Sequence, residues 1–335
     1  MRLIINEPGT FIGIKKGIIV VKKKDGEKLE IAAPKINMIT ILTRGATISS
    51  ALLRVLAKQK ISLIVYSSFG IPITHLVNYT YTRTKLKKEQ YKAQENEKSV
   101  HLAKSFAIGK ILNQKEILYS MAKNRKKSNP KLADFLFEIS NSLLKYSENI
   151  KKIESKNVES VRMNIINEEA EAAEKYWLAI KEAFKDFIDF PGRKKRFDRP
   201  TDPINISLNY LYSILAGECL ICLDSIGLDP YAGFLHVDSP RRPALVMDLI
   251  EEFRQPIVDR IVFKMVYEKK LDNIIENSKL KREARLILYR KFCERLNEIV
   301  TFNNRSLPIS EHIFLQAKRI ADYIMYGEIY TPFVK

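Results

Sequence analysis

The most constraining feature of this 335-residue sequence is a change of apolar pattern near residue 80. Before it, runs of β-branched and aromatic residues at 10–14 and 17–21 alternate with polar breaks, and Asp25-Gly26 signals a tight turn. After it, glycine and proline become sparse, and apolar residues recur with the 3.6-residue period of helices. The sequence therefore predicts an α+β fold, with a small, mainly β domain over residues 1–80 and a larger all-α domain over residues 81–335.

The same patterns place individual elements. In the first domain we predict further strands at 36–42, 61–66 and 72–77, and a helix at 47–59 with Thr47 as its candidate cap. In the second domain we predict two helices within 83–126 and single helices at 132–147, 167–187, 204–223, 244–267, 282–300 and 309–325.

Several classes of protein are disfavoured by composition. The most apolar window, residues 211–223, already contains Glu218 and is shorter than the ~18 apolar residues that a membrane span needs. The N-terminus becomes polar too early for a signal peptide, so we expect a cytoplasmic protein with no membrane partner. Cys219 and Cys222 form a CxxC pair, but no second pair completes a structural zinc site, which favours two small core residues.

The net charge is the first indication of function. The chain has 57 Lys and Arg against 39 Asp and Glu, a formal charge of +18, which attracts polyanions such as nucleic acids. A lysine-rich surface of the kind found in thermophile proteins is the alternative. The basic run Arg193-Lys194-Lys195-Arg196, within the polar loop 189–203, adds a local concentration of positive charge.

Glu169 is the first candidate for chemistry. On a helix it shares a face with Ala172, Ala173 and Tyr176, and the small alanines allow a close approach by another backbone or a bound strand. The neighbouring glutamates point to other faces and are expected to be solvated. A solvated Glu169 is the ordinary alternative.

A second group of candidates lies further along the chain. The glycine-containing segment 227–236 ends on His236, and the next predicted helix carries Asp248 and Glu251 at i and i+3, on one face. A histidine is most often a packing residue, and helical acids are most often solvated. Together, however, one imidazole and two carboxylates with open positions suit a hard ion such as Mn²⁺ or Mg²⁺.

These segments resemble the CRISPR-associated integrase family (Cas one), in the family's order and over nearly the whole chain. The matching motifs are Glu169-Ala170-X-Ala172-Ala173-X-X-Tyr176-Trp177, Asp202-Pro203-Ile204-Asn205, Gly227-Leu228-Asp229-Pro230, Gly233-Phe234-Leu235-His236 and Asp248-Leu249-Ile250-Glu251-X-Phe253-Arg254. The resemblance implies metal ligation by Glu169, His236 and Glu251, with Asp248 supporting the site. Two residues depart from the usual pattern: Ala170 replaces a common glycine, and Glu251 replaces a common aspartate.

The resemblance also implies partners and a reaction. It implies a homodimer formed through the β domains, and two such dimers bridged by a small ferredoxin-like subunit (Cas two). The reaction implied is the joining of short foreign DNA to a CRISPR array by attack of a 3′ hydroxyl, or hydrolysis when water attacks. The first alternative is a stand-alone, metal-dependent nuclease acting on branched DNA in repair. The second is a non-enzymatic nucleic-acid-binding scaffold.

Position and charge suggest which residues contact DNA. Basic residues near the implied ligands are the first candidates, the basic run of the polar loop comes second, and an aromatic residue of the Glu169 helix is added as a stacking candidate. The set is Arg241, Arg242, Arg254, Arg193, Lys194, Lys195, Arg196 and Tyr176.

Overall fold

The computed structural model of the protein describes residues 1–77, 83–240 and 242–335, except for the side chain of Arg196. The chain divides into two compact units, Met1–Thr82 and Arg83–Lys335. The predicted fold class, a β-rich first part followed by a larger, mainly helical part, is confirmed. The predicted boundary between residues 80 and 81 falls outside the described residues.

The first unit is built from two mixed sheets and a helix within residues 1–77. One sheet has the strand order β1-β5-β7-β8, in which only the β7–β8 pair is antiparallel, and the other has the order β4-β3-β2-β6, in which only the β2–β6 pair is parallel. The elements are β1 Arg2–Ile5, β2 Phe11–Lys15, β3 Ile18–Lys22, β4 Lys28–Ala32, β5 Met38–Ile41, β6 Thr47–Ile48, α1 Ser50–Gln59, β7 Ser62–Tyr66 and β8 Pro72–His75.

The hairpins and core of this unit follow from its sequence. Lys16 and Gly17 join β2 to β3 with φ values of 49° and 79°, the two positive values of a type I′ turn. The predicted turn at Gly26, with φ of 91°, joins β3 to β4. Inward-facing side chains of both sheets and of α1 then form one core; those fully buried include Ile12, Ile19, Ile39, Leu52 and Leu56.

The start of α1 differs from the prediction. Thr47 does not cap the helix, because it lies in β6, two residues upstream of the true cap. The side chain of Ser49 accepts a hydrogen bond from the backbone N–H of Leu52 at 3.2 Å and ends the strand there. Both residue types make good caps, and the pairing of β6 with β2 decides between them.

We predict that Ser49→Ala lowers the free energy of unfolding by about 1 kcal/mol, because an N-terminal helical N–H loses its acceptor. Urea unfolding followed by circular dichroism measures this difference. Thr47→Ala is the matched control, and a larger loss for Thr47→Ala than for Ser49→Ala would contradict the capping assignment.

The second unit is mainly helical. Helix α3 packs along α4 and α5, and α6 packs against α7 and α10. The helices are α2 Thr84–Gln94, α3 Glu97–Arg125, α4 Pro130–Lys152, α5 Arg162–Phe184, α6 Pro203–Ile226, α7 Ala244–Ile250, α8 Arg260–Tyr267, α9 Arg282–Asn297 and α10 Ile309–Tyr326. By length and composition α6 could cross a membrane, but 61% of its apolar window is buried inside the protein, as in a core helix. It holds Cys219 in that core.

Two predictions for this unit were wrong in detail. The helix predicted at 244–267 is interrupted: α7 ends at Ile250, and a π-helical segment, Arg254–Asp259, precedes α8. Pro256 lies in this segment, and its missing N–H removes a helical hydrogen bond.

The unit is also not purely helical. Two short hairpins interrupt it, β9 (Ile275–Glu276) with β10 (Lys279–Leu280) and β11 (Ile299–Phe302) with β12 (Arg305–Pro308). Their two-residue turns, at residues 277–278 and 303–304, have positive φ at both positions. Asn tolerates this left-handed conformation better than most residues, so Asn303-Asn304 was a turn signal in the segment between the helices predicted at 282–300 and 309–325.

The C-terminal segment packs behind the residues that follow α7. The buried carboxylate of Glu252 accepts hydrogen bonds from the Tyr330 hydroxyl at 2.6 Å, the Phe333 backbone N–H at 2.7 Å and the Gln316 side chain at 2.9 Å. Burial raises the pKa of Glu252 to about 7, although these three donors lower it. These hydrogen bonds hold the backbone at Glu252, and therefore the adjacent Glu251, against the C-terminal segment.

Candidate active site

Glu169 projects from α5 toward the middle of α3. Its neighbours on the same face, Ala172 and Tyr176, are fully buried, so this face of the helix points into the unit as the alanine pattern suggested. The ammonium of Lys110, on α3, forms a short ion pair with Glu169 Oε1. Glu169 therefore faces a charged partner inside the unit and not bulk solvent.

Glu251 lies at the C-terminal end of α7, with its side chain almost fully buried. Its Oε2 is 2.9 Å from the Lys110 ammonium, and its Oε1 is 2.9 Å from the guanidinium of Arg254. Burial by itself raises the pKa of Glu251, but Arg254, Lys110 and His236 outweigh it and bring the pKa to about 2. Glu251 is therefore ionised at any physiological pH.

His236 is oriented by Asp248, a fully buried residue of α7. The Asp248 carboxylate accepts hydrogen bonds from the backbone N–H groups of Phe234, Leu235 and His236 at 2.6, 3.1 and 2.8 Å. It also lies 2.7 Å from His236 Nδ1. A carboxylate oxygen accepts hydrogen bonds, so Nδ1 is the donor in this pair and Nε2 is the ring nitrogen that Asp248 does not engage. This is the arrangement that metal-binding histidines usually have.

Two glycines allow the histidine loop to fit. Gly227 ends α6 with φ of 92°, a conformation that side-chain-bearing residues rarely adopt. At Gly233, an added Cβ would lie 2.6 Å from the Cβ of Ala244, closer than any real contact. The loop can therefore run directly against the start of α7 only because residue 233 has no side chain.

The other side of the histidine loop is held by residues that the sequence analysis did not select. Arg162, at the start of α5, donates to the carbonyl groups of Phe234 and Leu235, both at 2.7 Å. Thus the N–H groups of the loop bind Asp248 and its carbonyl groups bind Arg162. The sequence shows an arginine seven residues before Glu169, but no local pattern indicates that it is buried or which groups it binds.

Helix α2 adds a further clamp. Gln90 donates to the carbonyls of Asp229 and Ala232, both at 2.9 Å, and accepts from the Asp229 N–H at 2.8 Å. One turn later, Gln94 donates to the Gly233 carbonyl at 2.7 Å. The i and i+4 spacing of the two glutamines places both amides on the face toward the loop.

Two of the predicted ligands face one cation, and the third lies nearby. Glu169 and Glu251 share the Lys110 ammonium, and His236 is near enough to Glu251 to lower its pKa. Within the described part of the chain, no three His, Cys, Asp or Glu side chains are already arranged to hold a metal ion. The ammonium occupies the position that a cation shared by both glutamates would take.

The donor set nevertheless fits a hard divalent ion in kind. Glu251 Oε2 is buried and has an ion-pair partner but no hydrogen bond of good geometry. Two carboxylates and an imidazole with a free Nε2 are oxygen and nitrogen donors of the type that Mn²⁺ and Mg²⁺ accept. Occupation by such an ion would require the Lys110 side chain to move.

The residues predicted to contact DNA differ in their exposure to solvent. Tyr176 is fully buried and its hydroxyl donates to Asp259 at 2.7 Å, so it cannot reach a bound strand and is withdrawn. Arg193 bonds the side chains of Asn205 and Asn209 at 2.9 and 2.7 Å, which makes it an anchor of its loop. The candidates that remain exposed are Lys194, Lys195 and Arg242.

The remaining arginine candidates are placed as follows. Arg254 is mostly buried, pairs with Glu251, and stacks on the ring of Tyr212 at 4.8 Å. Arg193 stacks on the same ring at 5.4 Å, so two guanidinium groups lie close to the carboxylate cluster. Arg241 and the side chain of Arg196 lie outside the described residues.

Comparison with known proteins gives a consistent result. The family model described as "CRISPR associated protein Cas1" matches residues 3–294. The chain is 32% identical to "CRISPR-associated endonuclease Cas1 1" of Archaeoglobus fulgidus over 348 aligned residues, which cover 100% of this chain and 99% of that one. The chain therefore belongs to the Cas1 family of CRISPR-associated proteins.

Solved structures extend the comparison to the fold. A casposase bound to an integration product matches with a TM-score of 0.81 and 25% identity, covering 100% of this chain and 93% of that chain. A chain of a structure titled "Cas6-RT-Cas1--Cas2 complex" matches with a TM-score of 0.75 and 18% identity, covering 100% of this chain and 36% of that one. The second similarity is one of fold alone.

We predict that Arg162→Met lowers the free energy of unfolding by about 1–3 kcal/mol, because two buried carbonyl groups lose their donor. The loop should also exchange its backbone amide protons faster around residues 234–236, which hydrogen–deuterium exchange measures. Arg290→Met, at an exposed position of α9, is the control and should change neither quantity. Unchanged exchange in the Arg162 variant would contradict the clamp.

A second prediction concerns pH. Burial raises the pKa of Asp259 to about 6, although hydroxyl hydrogen bonds from Tyr212 and Tyr176 lower it. The folded protein thus holds a proton that the unfolded chain has lost, and this contribution to stability falls as the pH rises from about 4 to 6. Asp259→Asn should remove that fall. Urea unfolding of both proteins at pH 4.5, 5.5 and 7 tests this. The quantity to compare is the difference in free energy of unfolding between the two proteins, because the titration of all other groups cancels in it. A difference that stays constant with pH would refute the prediction.

Proposed function

We propose that this protein is a metal-dependent DNA integrase and endonuclease that inserts short foreign DNA into a CRISPR array. The observation that most directly supports this is that Glu169 and Glu251 face one shared ammonium, with His236 close enough to lower the pKa of Glu251, in a protein of charge +18. Family membership supports the reaction class, because one relative is named an endonuclease and one structural neighbour is a casposase bound to an integration product.

Glu169, Glu251 and Nε2 of His236 would hold the cation, Mn²⁺ or Mg²⁺, and leave positions for oxygen atoms of substrate. When bound, it supplies electrostatic stabilisation of the charge that develops on the reacting phosphate. Asp248 supports this role by keeping the proton on Nδ1 of His236. In the metal-free protein, Arg254 and Lys110 outweigh burial and lower the pKa of Glu251 to about 2, so this ligand is ionised at neutral pH.

In the joining reaction, the 3′ hydroxyl of the incoming strand attacks a phosphodiester of the array in line. A new phosphorus–oxygen bond forms while the bond to the departing 3′ oxygen breaks; the attacking hydroxyl loses a proton and the departing oxygen gains one. With water in place of the hydroxyl, the same site nicks the strand. Arg254 contributes a guanidinium suited to a phosphate oxygen. His236, engaged through both nitrogens, does not act as the base.

DNA would be held mainly through its phosphates. The exposed basic side chains of Lys194, Lys195 and Arg242 lie on segments that end near the site, and Arg241 and Arg196 remain sequence-based candidates. Because such binding releases counterions, affinity should fall steeply with salt.

The proposed assembly is a homodimer formed through the β unit, with two dimers bridged by the ferredoxin-like Cas2 subunit. Exposed apolar side chains around β8, Phe69, Ile71 and Ile73, are suitable for burial in such an interface. A neighbour of the same fold was solved in a complex with Cas2. We place this activity in the cytoplasm, where the array lies.

We predict that Glu169→Ala, His236→Ala and Glu251→Ala each reduce joining and cleavage by more than about 100-fold, because loss of even a supporting residue at a metal site costs 10–100-fold. The assay incubates each protein with Mn²⁺, a repeat-containing target and duplexes with 3′ hydroxyls, and resolves joined and cut strands on denaturing gels. Glu171→Ala, an exposed glutamate of the same helix, is the matched control.

The outcomes separate the proposal from its alternatives. Joined products that disappear in the three variants, while fluorescence anisotropy shows DNA binding retained, support the integrase. Cleavage without any joining would favour a stand-alone nuclease for branched DNA. DNA binding by the wild type without any joining or cleavage would favour a nucleic-acid-binding scaffold. Full activity in all three variants would refute the assignment of Glu169, His236 and Glu251 as ligands.

A further inference from the structure

Lys110 holds an unusual position for a lysine. Its side chain is only 13% exposed, and its ammonium lies between Glu169 Oε1 and Glu251 Oε2, the latter at 2.9 Å. Other lysines of α3 are placed differently: Lys104 reaches backbone carbonyls of residues 151 and 153, and Lys115 pairs with its own neighbour, Glu116. The Lys110 cation is therefore specifically paired with two of the three proposed ligands.

The four side chains joined by these ion pairs balance in charge. The carboxylates of Glu169 and Glu251 carry two negative charges, and the side chains of Lys110 and Arg254 carry two positive charges. A divalent ion held by both glutamates would need their carboxylate oxygens as ligands. Those two oxygens already face the ammonium, so the ion and the ammonium cannot share the position.

We infer that Lys110 is a resident cation that holds the ligand carboxylates together in the metal-free protein and moves to a DNA phosphate when a divalent ion takes its place. This inference rests on the proposed function, and it adds a coupling between two ligands. Without DNA, the incoming ion has to displace a favourable ion pair. With DNA, a phosphodiester supplies the negative charge that the displaced ammonium needs.

The coupling follows from the displacement of the ammonium. Once a divalent ion takes its place, the Lys110 ammonium loses both carboxylate partners in a poorly solvated place, which is costly unless another anion enters. DNA should therefore raise metal affinity, and metal should raise DNA affinity by the same factor, since binding linkage is reciprocal. Metal would then be held firmly only when a phosphate is in position to react.

A purely structural role for Lys110 predicts a different result. If the lysine only tethers α3 to α5 and α7, its removal would lower stability and leave metal affinity unchanged or weaker, because the ligands would drift apart. The two roles thus differ in the sign of one measurable quantity, the affinity for Mn²⁺ in the absence of DNA.

The test is Mn²⁺ binding by full-length protein at constant pH, followed by the electron paramagnetic resonance signal of free Mn²⁺, with and without a 3′-hydroxyl duplex. For Lys110→Met we expect tighter binding without DNA, by a factor in the usual range of coupling, about 5–150-fold, and a smaller gain on adding DNA. Lys110→Arg keeps the charge and should resemble the wild type. Lys115→Met, on the same helix, is the matched control.

Equal or weaker Mn²⁺ binding by Lys110→Met would overturn the inference, as would a wild-type affinity that DNA does not change. The wild-type comparison needs no variant and therefore decides the matter even if the methionine variant fails to fold. A wild type that binds no Mn²⁺, or a Glu169→Ala variant that binds it equally well, would overturn the proposed function as well. Mn²⁺ binding that is lost in Glu169→Ala but unchanged in Lys110→Met would overturn this inference and leave the proposed function standing.

Discussion

The buried carboxylate of Asp248 ties together the two segments on which the site depends. It belongs to the helix that ends at Glu251, and it binds three consecutive backbone N–H groups and the imidazole of the loop that ends at His236. A buried carboxylate is stable only when its oxygens are satisfied, and here four donors satisfy them. The same bonds that make its burial tolerable also fix the tautomer and direction of the histidine, so stability and ligand geometry have one source.

The remaining charges of the site are kept stable by pairing. Glu251 lies between an ammonium and a guanidinium, and the latter stacks on the ring of Tyr212. Removing one partner of such a buried pair leaves an uncompensated charge, which is far more costly than losing both partners. The basic residues of this protein are therefore not confined to its surface, since Lys110 and Arg254 are largely buried and each is paired with a glutamate.

Much of this could be predicted from the sequence, for identifiable reasons. Periodicity indicated the fold class, an unusual glycine-containing loop singled out His236, and helical spacing singled out Asp248 and Glu251, while the family resemblance implied the ligand set. The partners could not be predicted in the same way, because Lys110 and Arg162 meet the site through packing between distant helices, a property that no local pattern records. Where prediction of elements was wrong, as at Pro256, a single residue without an N–H overrode an otherwise regular apolar period.

Helix α2 has a consequence for how movement can spread through the second unit. It starts just after residues 78–82, and its two glutamines hold four backbone groups of the histidine loop. A helix of three turns is stiff along its axis, so its first turn cannot be pushed or pulled without carrying those carbonyl groups along or breaking their bonds. The backbone of residues 229–233, which leads to His236, is therefore coupled to the position of the first turn of α2.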